Sequence, residues 1–400
     1  MNKIRRCGVL LLVILAVQWH ACKRRPQPQP LPNIIYLLAD DMGYGDLACQ
    51  NPGSKIPTPN LDRLAEAGIR FTDAHAPAAV CTPTRYAILT GRYRWRLGRW
   101  GPGVFGTPMI DQQRLTVAKM LKARGYDTAC FGKWHLGWDW ATKDGKPPIG
   151  IKREDRGRSG ANVNFAKPIA NGPITLGFDY YFGTDVPNYP PYCFIENDRT
   201  VGIPTIPKPS RIFGVPGPMV KGWDLEQILP KIIKKTIEYI DAKGGQGKNP
   251  KFRQTKGNPF FIYLSLTAPH TPIAPSKEFK GKSQIGPYGD FIIQIDHAVA
   301  QVLQALKRNG FENNTLVIFT SDNGSPRRDG KNMSGTVDSI LRTGHNPNYI
   351  YRGLKTDIWE GGHRIPFIAR WPGHIKPGQV SDELICLTDL LATCAHRCTP

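Results

Sequence analysis

Residues 33–39 (NIIYLLA) form a continuous apolar run that stops abruptly at two adjacent carboxylates, Asp40 and Asp41. A strand with one wet face alternates polar and apolar side chains. An unbroken run instead needs cover on both faces, which marks a buried strand of the parallel type. Residues 259–266 (PFFIYLSL) repeat the pattern and run into His270. Residues 315–320 (TLVIFT) repeat it again and end in Ser321-Asp322-Asn323-Gly324. Residues 127–131 read as a further strand, leading into Gly132-Lys133-Trp134-His135. Residues 69–74 and 365–370 add two more. Helical periodicity falls between them, at residues 59–67, 116–123 and 225–242, although Pro230 is placed to break the first turn of the last. Ile292, Ile295, Val299, Val302, Leu303 and Leu306 share one helical face. This alternation predicts an α/β fold with a mainly parallel central sheet flanked by helices. Each polar cluster lies just past a strand's C-terminal end, the edge along which open α/β sheets bind ligands. One shared site is the expectation.

A chain of 400 residues suits one large α/β domain or two smaller ones. Its formal net charge of +21 suggests an anionic partner: sulfated glycan, nucleic acid or acidic lipid. The basic residues are scattered through loops without a nucleic-acid-binding signature, so nucleic acid is set aside. Lys3, Arg5 and Arg6 precede an apolar stretch, residues 8–17, that is too short to span a bilayer as a helix. Ala21-Cys22 and a Pro/Gln tract follow. Residues 1–22 therefore read as an export signal, with lipidation at Cys22 or simple cleavage as the two alternatives. Residues 23–32 read as an extended tether and residues 33–400 as the catalytic domain. The expected location is outside the cytoplasm: periplasmic, lipid-anchored or secreted, in a bacterium. Nine cysteines without a CxxC pair exclude a disulfide scaffold or zinc module. Residues 186–219, rich in Pro with Tyr189, Tyr192 and Phe194, read as an insertion, and residues 243–258 as a basic, Gly-rich surface loop.

Asp40, Asp41, Asp322 and Asn323 are all oxygen donors at strand tips, a set that suits Ca²⁺ or Mg²⁺ rather than zinc. Taken singly, each is equally a cap or a turn. In Cys81-Thr82-Pro83-Thr84-Arg85, Pro83 suggests that a helix opens there, and helix N-termini attract anions.

That run, continued by Thr90-Gly91-Arg92, resembles the C-x-P-x-R signature of the formylglycine-dependent sulfatases, an arylsulfatase A-like family of the alkaline-phosphatase-like superfamily. Residues 132–137 match that family's G-K-W-H-x-G motif and residues 268–272 its A-P-H-x-P motif. Arg352-Gly353-Leu354-Lys355, ahead of Trp359-Glu360-Gly361-Gly362, also resembles the family. The resemblance implies that a formylglycine-generating enzyme or equivalent maturase converts Cys81 to an aldehyde, which hydrates to a gem-diol. One hydroxyl then attacks sulfur, and loss of the other's proton expels sulfate. It implies a calcium ion, with magnesium the second choice, on Asp40, Asp41, Asp322, Asn323 and the oxygen of residue 81. It casts Lys133 and Lys355 as sulfate-binding charges and Arg85 as the holder of the hydroxyl. His135 becomes the base, and His270, shared with Lys355, the acid toward the leaving alcohol.

The likeness covers most of residues 33–391. Members of the family usually continue past a helix resembling residues 388–394 into a small C-terminal subdomain. The tail Ala395-His396-Arg397-Cys398 does not match such a continuation, so that subdomain is expected to be missing or truncated. The expected substrate is a sulfated polysaccharide or oligosaccharide, with Tyr189, Tyr192 and Arg199 as candidate sugar contacts. Two competing readings are a phosphate-ester or phosphonate hydrolase of the same superfamily and an inactive binder of sulfated glycans. His75, His297, His345, His363 and His374 carry no assigned role, although the loop of His345 is within reach of substrate.

Overall fold

The computed structural model describes residues 30–397 except 99–100, 151, 248, 250, 253–256 and 327. The export-signal reading, with Cys22, lies outside the described residues. Pro32–Thr399 forms one compact unit.

The strands in chain order are β1 (Asn33–Asp40), β2 (Ile69–Phe71), β3 (Ala74–His75), β4 (Asp127–Lys133), β5 (Tyr180–Thr184), β6 (Ile195–Glu196) and β7 (Arg199–Thr200). They continue with β8 (Ile206–Pro207), β9 (Pro218–Met219), β10 (Phe260–Pro269), β11 (Thr315–Ser321), β12 (Phe367–Arg370), β13 (Gln379–Ser381) and β14 (Ile385–Cys386). Among the described residues the main sheet runs β13-β2-β12-β11-β1-β10-β4-β5-β6-β7. Its middle, β11-β1-β10-β4-β5, is parallel throughout. The unbroken apolar runs occupy that middle because both of their faces are covered. On one face Ile35, Leu37, Ile262 and Leu264 join a core with α1 (Pro59–Glu66), α4 (Ile228–Lys243) and α5 (Pro287–Arg308). On the other face Tyr36 stacks on Tyr263 at 6.1 Å, and Phe178 stacks on Phe261. The contacting helices α2 (Cys81–Thr90), α3 (Val117–Ala123) and α8 (Leu390–Arg397) form a second group. The two short helices between are α6 (Asp338–Leu341) and α7 (Glu360–His363).

Three expectations needed adjustment. Residues 69–74 are not one strand. The chain bends at Thr72 and Asp73, where the Thr72 N–H and hydroxyl both donate to the Ser381 carbonyl, and β3 then pairs with β14 in a separate small sheet. Pro230 does not break its helix, because it sits at the third position of α4, where a backbone N–H would have no intrahelical acceptor. The segment 186–219 is partly built into the sheet, since β6 and β7 extend the β5 edge in antiparallel fashion. No helix among the described residues is long and apolar enough to cross a membrane.

Gly132 shows how tightly β4 and β10 are joined beneath the site. Its φ is +100°, and a Cβ there would lie 1.8 Å from the Ser265 carbonyl oxygen. Gly132→Ala should therefore push β4 off β10 and cost about 2–4 kcal/mol, read from the urea unfolding midpoint.

Candidate active site

Four neighbouring strands deliver the polar residues to one place. β1 ends in Asp40 ahead of Asp41, β11 in Ser321 ahead of Asp322 and Asn323, β10 in Pro269 ahead of His270, and β4 in Lys133 ahead of His135. The register pairs Ala39 with Ser321 and Asp40 with Pro269, so the clusters lie level with one another. Asp41 (φ +71°) and His135 (φ +55°) hold left-handed backbone without being glycine, a strained conformation that clusters at functional sites.

The carboxylates are buried and laced to cations. Lys133 Nζ donates to both Asp40 oxygens, at 2.9 and 2.8 Å. Arg85 reaches Asp322 at 2.6 Å and Asp40 at 3.2 Å, and also donates to the Ser265 hydroxyl. Lys355 Nζ lies 2.7 Å from Asp41 Oδ1. Arg85, Lys133, Asp40 and Asp322 are fully buried. Burial pushes the Asp40 carboxyl up, but Lys133, His270, Arg85 and Lys355 outweigh it and hold the group well below the usual carboxylate range. Asp322 goes the other way. Burial, with the charges of Asp40, Cys81 and Asp41, outweighs Arg85 and leaves it well above that range. Burial pulls Lys355 down, yet Asp41 and its other anionic neighbours more than compensate and keep it charged.

Cys81 opens α2 and is buried, with Val80 as the extended residue before it. Its Sγ faces His135 Nδ1 at 3.2 Å, and the Thr82 hydroxyl donates to the His135 carbonyl. The His135 N–H donates to Asp185 Oδ1 at 3.2 Å. Burial, then the Lys133 charge, brings His135 down to about 3, so its ring is neutral at neutral pH. Burial, then Lys133 and Lys355, lowers His270 likewise to about 3. His270 Nδ1 donates to the Thr271 carbonyl, which leaves the lone pair on Nε2, 3.7 Å from Asp41.

The residues present fit a hard cation. Asp40 and Asp322 offer oxygens within 4.8 Å of each other and of the Cys81 sulfur. Asn323 Nδ2 donates to Asp41 and to the Gly324 carbonyl, while its Oδ1 is buried without a hydrogen-bond partner. An orphaned amide oxygen beside three carboxylates, one of them pushed up by burial and then by its neighbours' negative charge, is the donor set of Ca²⁺ or Mg²⁺.

All ten positions singled out in the sequence thus fall in or beside one cluster. Their contacts differ in part from those expected. Arg85 is engaged with Asp322, Asp40 and Ser265 rather than with the side chain of residue 81. Lys133 and Lys355 are paired with Asp40 and Asp41. His345 does not reach toward substrate. It is buried, with Nε2 2.9 Å from Asp46 and Nδ1 accepting from the Lys55 N–H, because Asp46 needs a partner in the interior. Tyr192 is likewise interior, its hydroxyl donating to backbone carbonyls, and Arg199 reaches the Ala166 carbonyl. Tyr189 lies edge-on to His135, with ring centroids 6.2 Å apart. Two positioning residues escaped sequence reasoning. Ser265 is the one aliphatic hydroxyl within residues 259–266, and Asp185 follows β5 directly, so the strand-tip rule applied to β5 would have found it.

A neutralised carboxylate cluster at the carboxyl edge of a parallel sheet, with a buried thiol over it, fits an alkaline-phosphatase-like hydrolase of anionic esters. The sulfatase family profile matches residues 32–397, and the chain belongs to that family; it is a sulfuric ester hydrolase. It is 34% identical to an N-acetylgalactosamine-6-O-sulfatase of Bacteroides thetaiotaomicron, over 93% of this chain and 74% of that protein. It is also 34% identical to human arylsulfatase A, over 91% of this chain and 63% of that protein. A solved structure from glycosaminoglycan metabolism in B. thetaiotaomicron superposes with a TM-score of 0.75 at 31% identity, covering 93% of this chain and 78% of its own.

The guanidinium of Arg85 compensates two buried carboxylates at once. Arg85→Met should cost about 3–5 kcal/mol of unfolding free energy, because removing one partner strands the others in the interior. Chemical denaturation of the two proteins side by side checks this.

Proposed function

We propose that this sulfatase removes sulfate from sulfated sugars, with residue 81 converted to formylglycine by a maturase and a calcium ion on Asp40, Asp41, Asp322 and Asn323. The observation that carries the reading is the convergence of Cys81 on an oxygen-lined cluster with an unsatisfied Asn323 Oδ1. Sugar as the substrate class is supported by the N-acetylgalactosamine-6-O-sulfatase likeness and by the net charge of +21, which suits a polyanion. We read the basic, apolar and Cys22-bearing start of the sequence as an export signal, with a lipid on Cys22 as one outcome.

Formylglycine, hydrated, supplies an oxygen nucleophile that a thiol cannot, because it can also release the transferred sulfate. Calcium supplies charge that favours the ionised hydroxyl and polarises a sulfate oxygen. The protein's own groups do the rest. His135, neutral and 3.2 Å from the Cys81 sulfur, is placed to take a proton from the oxygen that replaces it, with Asp185 fixing its backbone. Lys355 is charged and partly exposed, so it can turn from Asp41 toward an incoming sulfate. Lys133 and Arg85, wholly buried, hold Asp40 and Asp322 in place and keep Asp40 ionised. Because His270 is neutral with its Nε2 lone pair facing the site, Lys355 is the better proton donor toward the leaving alcohol. His270 is then left to accept a hydrogen bond from the substrate.

Free sulfate released from a panel of sulfated glycosaminoglycans and oligosaccharides tests the reading, using protein co-expressed with a formylglycine-generating enzyme. Release should vanish in Cys81→Ala. Persistent release in that variant, or none from converted wild-type protein on any sugar while aryl phosphate is cleaved, would overturn it. The pH profile of kcat/KM gives a second check. A base lowered to about 3 stays deprotonated down to that pH, so the acid limb set by His135 should lie well below the ordinary histidine value of about 6.5. Bound cation would push it further the same way.

A further inference from the structure

The segment leading into Cys81 and the loop bearing Lys355 meet at a second cluster of side chains. His75 lies in β3 and His363 closes α7. Backbone bonds tie the two segments together: Ala76 N–H to the His363 carbonyl at 2.8 Å, and Ile365 N–H to the Ala74 carbonyl at 3.0 Å. His75 Nε2 sits 2.7 Å from Asp73 Oδ1, and His363 Nε2 sits 3.2 Å from the Ile358 carbonyl. A carboxylate and a carbonyl only accept, so both Nε2 atoms carry the proton and both Nδ1 atoms carry a lone pair. Those two lone pairs face each other at 3.0 Å. Two acceptors at that distance repel unless one ring takes a second proton or a metal ion bridges them.

The surroundings suit a metal ion in that place. Glu360 adds a carboxylate oxygen, and one donor atom from each of His75, His363 and Glu360 lies within 4.8 Å of the others. Ligating histidines commonly donate their second N–H to a carboxylate or backbone carbonyl, the arrangement found on both rings. Arg364 lies 3.4 Å from His75 Nε2, farther than Asp73, so it does not reverse the tautomer. Its charge is matched by Asp73, which it touches, and by Glu360 at 2.9 Å, which leaves the cluster with one net negative charge. The side chains of His75, His363 and Glu360 are 19%, 26% and 43% exposed, so an ion has a way in and room for a water ligand.

We propose that His75, His363 and Glu360 form a metal site, separate from the oxygen-lined one, for zinc or a similar borderline divalent cation. Two imidazoles and a carboxylate select that class over calcium or magnesium. Cys81 lies six positions after His75, and Glu360 five positions after Lys355. The bound ion would therefore clamp together the two segments that present the nucleophile and the exposed cation of the catalytic site.

The test uses the full chain, stripped with chelator and returned to calcium-containing buffer, then titrated with zinc chloride. One zinc ion per chain should bind in calorimetry, and Tm should rise by about 3 °C at a hundredfold excess over Kd. His75→Gln and His363→Gln should each weaken zinc binding by more than about tenfold, and Asp73→Asn, which alters only the orienting carboxylate, by about tenfold. Absence of zinc binding, or wild-type zinc affinity in both histidine variants, overturns the proposal. Zinc-edge anomalous diffraction from wild-type crystals decides without a variant. A peak between the two Nδ1 atoms supports the site, and a peak elsewhere alone overturns it.

Discussion

The structure depends on one electrostatic fact: Asp40, Asp41 and Asp322 are buried at the ends of adjoining strands. Charges of one sign so close in the interior would force the strand tips apart or give up their ionisation. Arg85, Lys133 and Lys355 oppose this, each approaching from a different element; they hold the Asp40 and Asp41 carboxyls low, while that of Asp322 stays raised. The apolar runs of β1, β10 and β11 fix the tips in register, and the cations make that register tolerable.

The layout follows from the sequence because parallel strands announce themselves. An apolar run such as NIIYLLA has no other stable place than the middle of a covered sheet, and the polar residues that end it must lie at the sheet's edge. The positions of Asp40, Asp41, His135, His270, Asp322 and Asn323 were legible on those grounds, and those of Cys81, Arg85 and Lys355 through the motif likeness. What was not legible is pairing across the chain. Nothing local tells that Arg85 meets Asp322, that Lys133 meets Asp40, or that Asp46 draws His345 inward. Nor does the pattern near residue 72 reveal the bend, because the acceptor that holds it, the Ser381 carbonyl, lies far along the chain. Asp185 and Ser265 were visible as polar residues beside apolar runs but had no motif to draw attention to them.

Geometry also refines the division of labour between the cations and the histidines. Both His135 and His270 sit in positive, dehydrated surroundings that keep their rings neutral, whereas Lys355 gains proton affinity from Asp41. Neutral rings and a charged amine are thereby set apart by their surroundings within one site.

The contact between Asp41 and Asp322 joins residues 281 positions apart, so the cluster cannot exist until β1 and β11 have found each other. Pairings of that separation come late in folding. Until then the thiol of Cys81 has no roof, and afterwards it is only 6% exposed. Folding thus sets a deadline: the sulfur is open to the surroundings in the unfolded chain, and the finished sheet shuts it in.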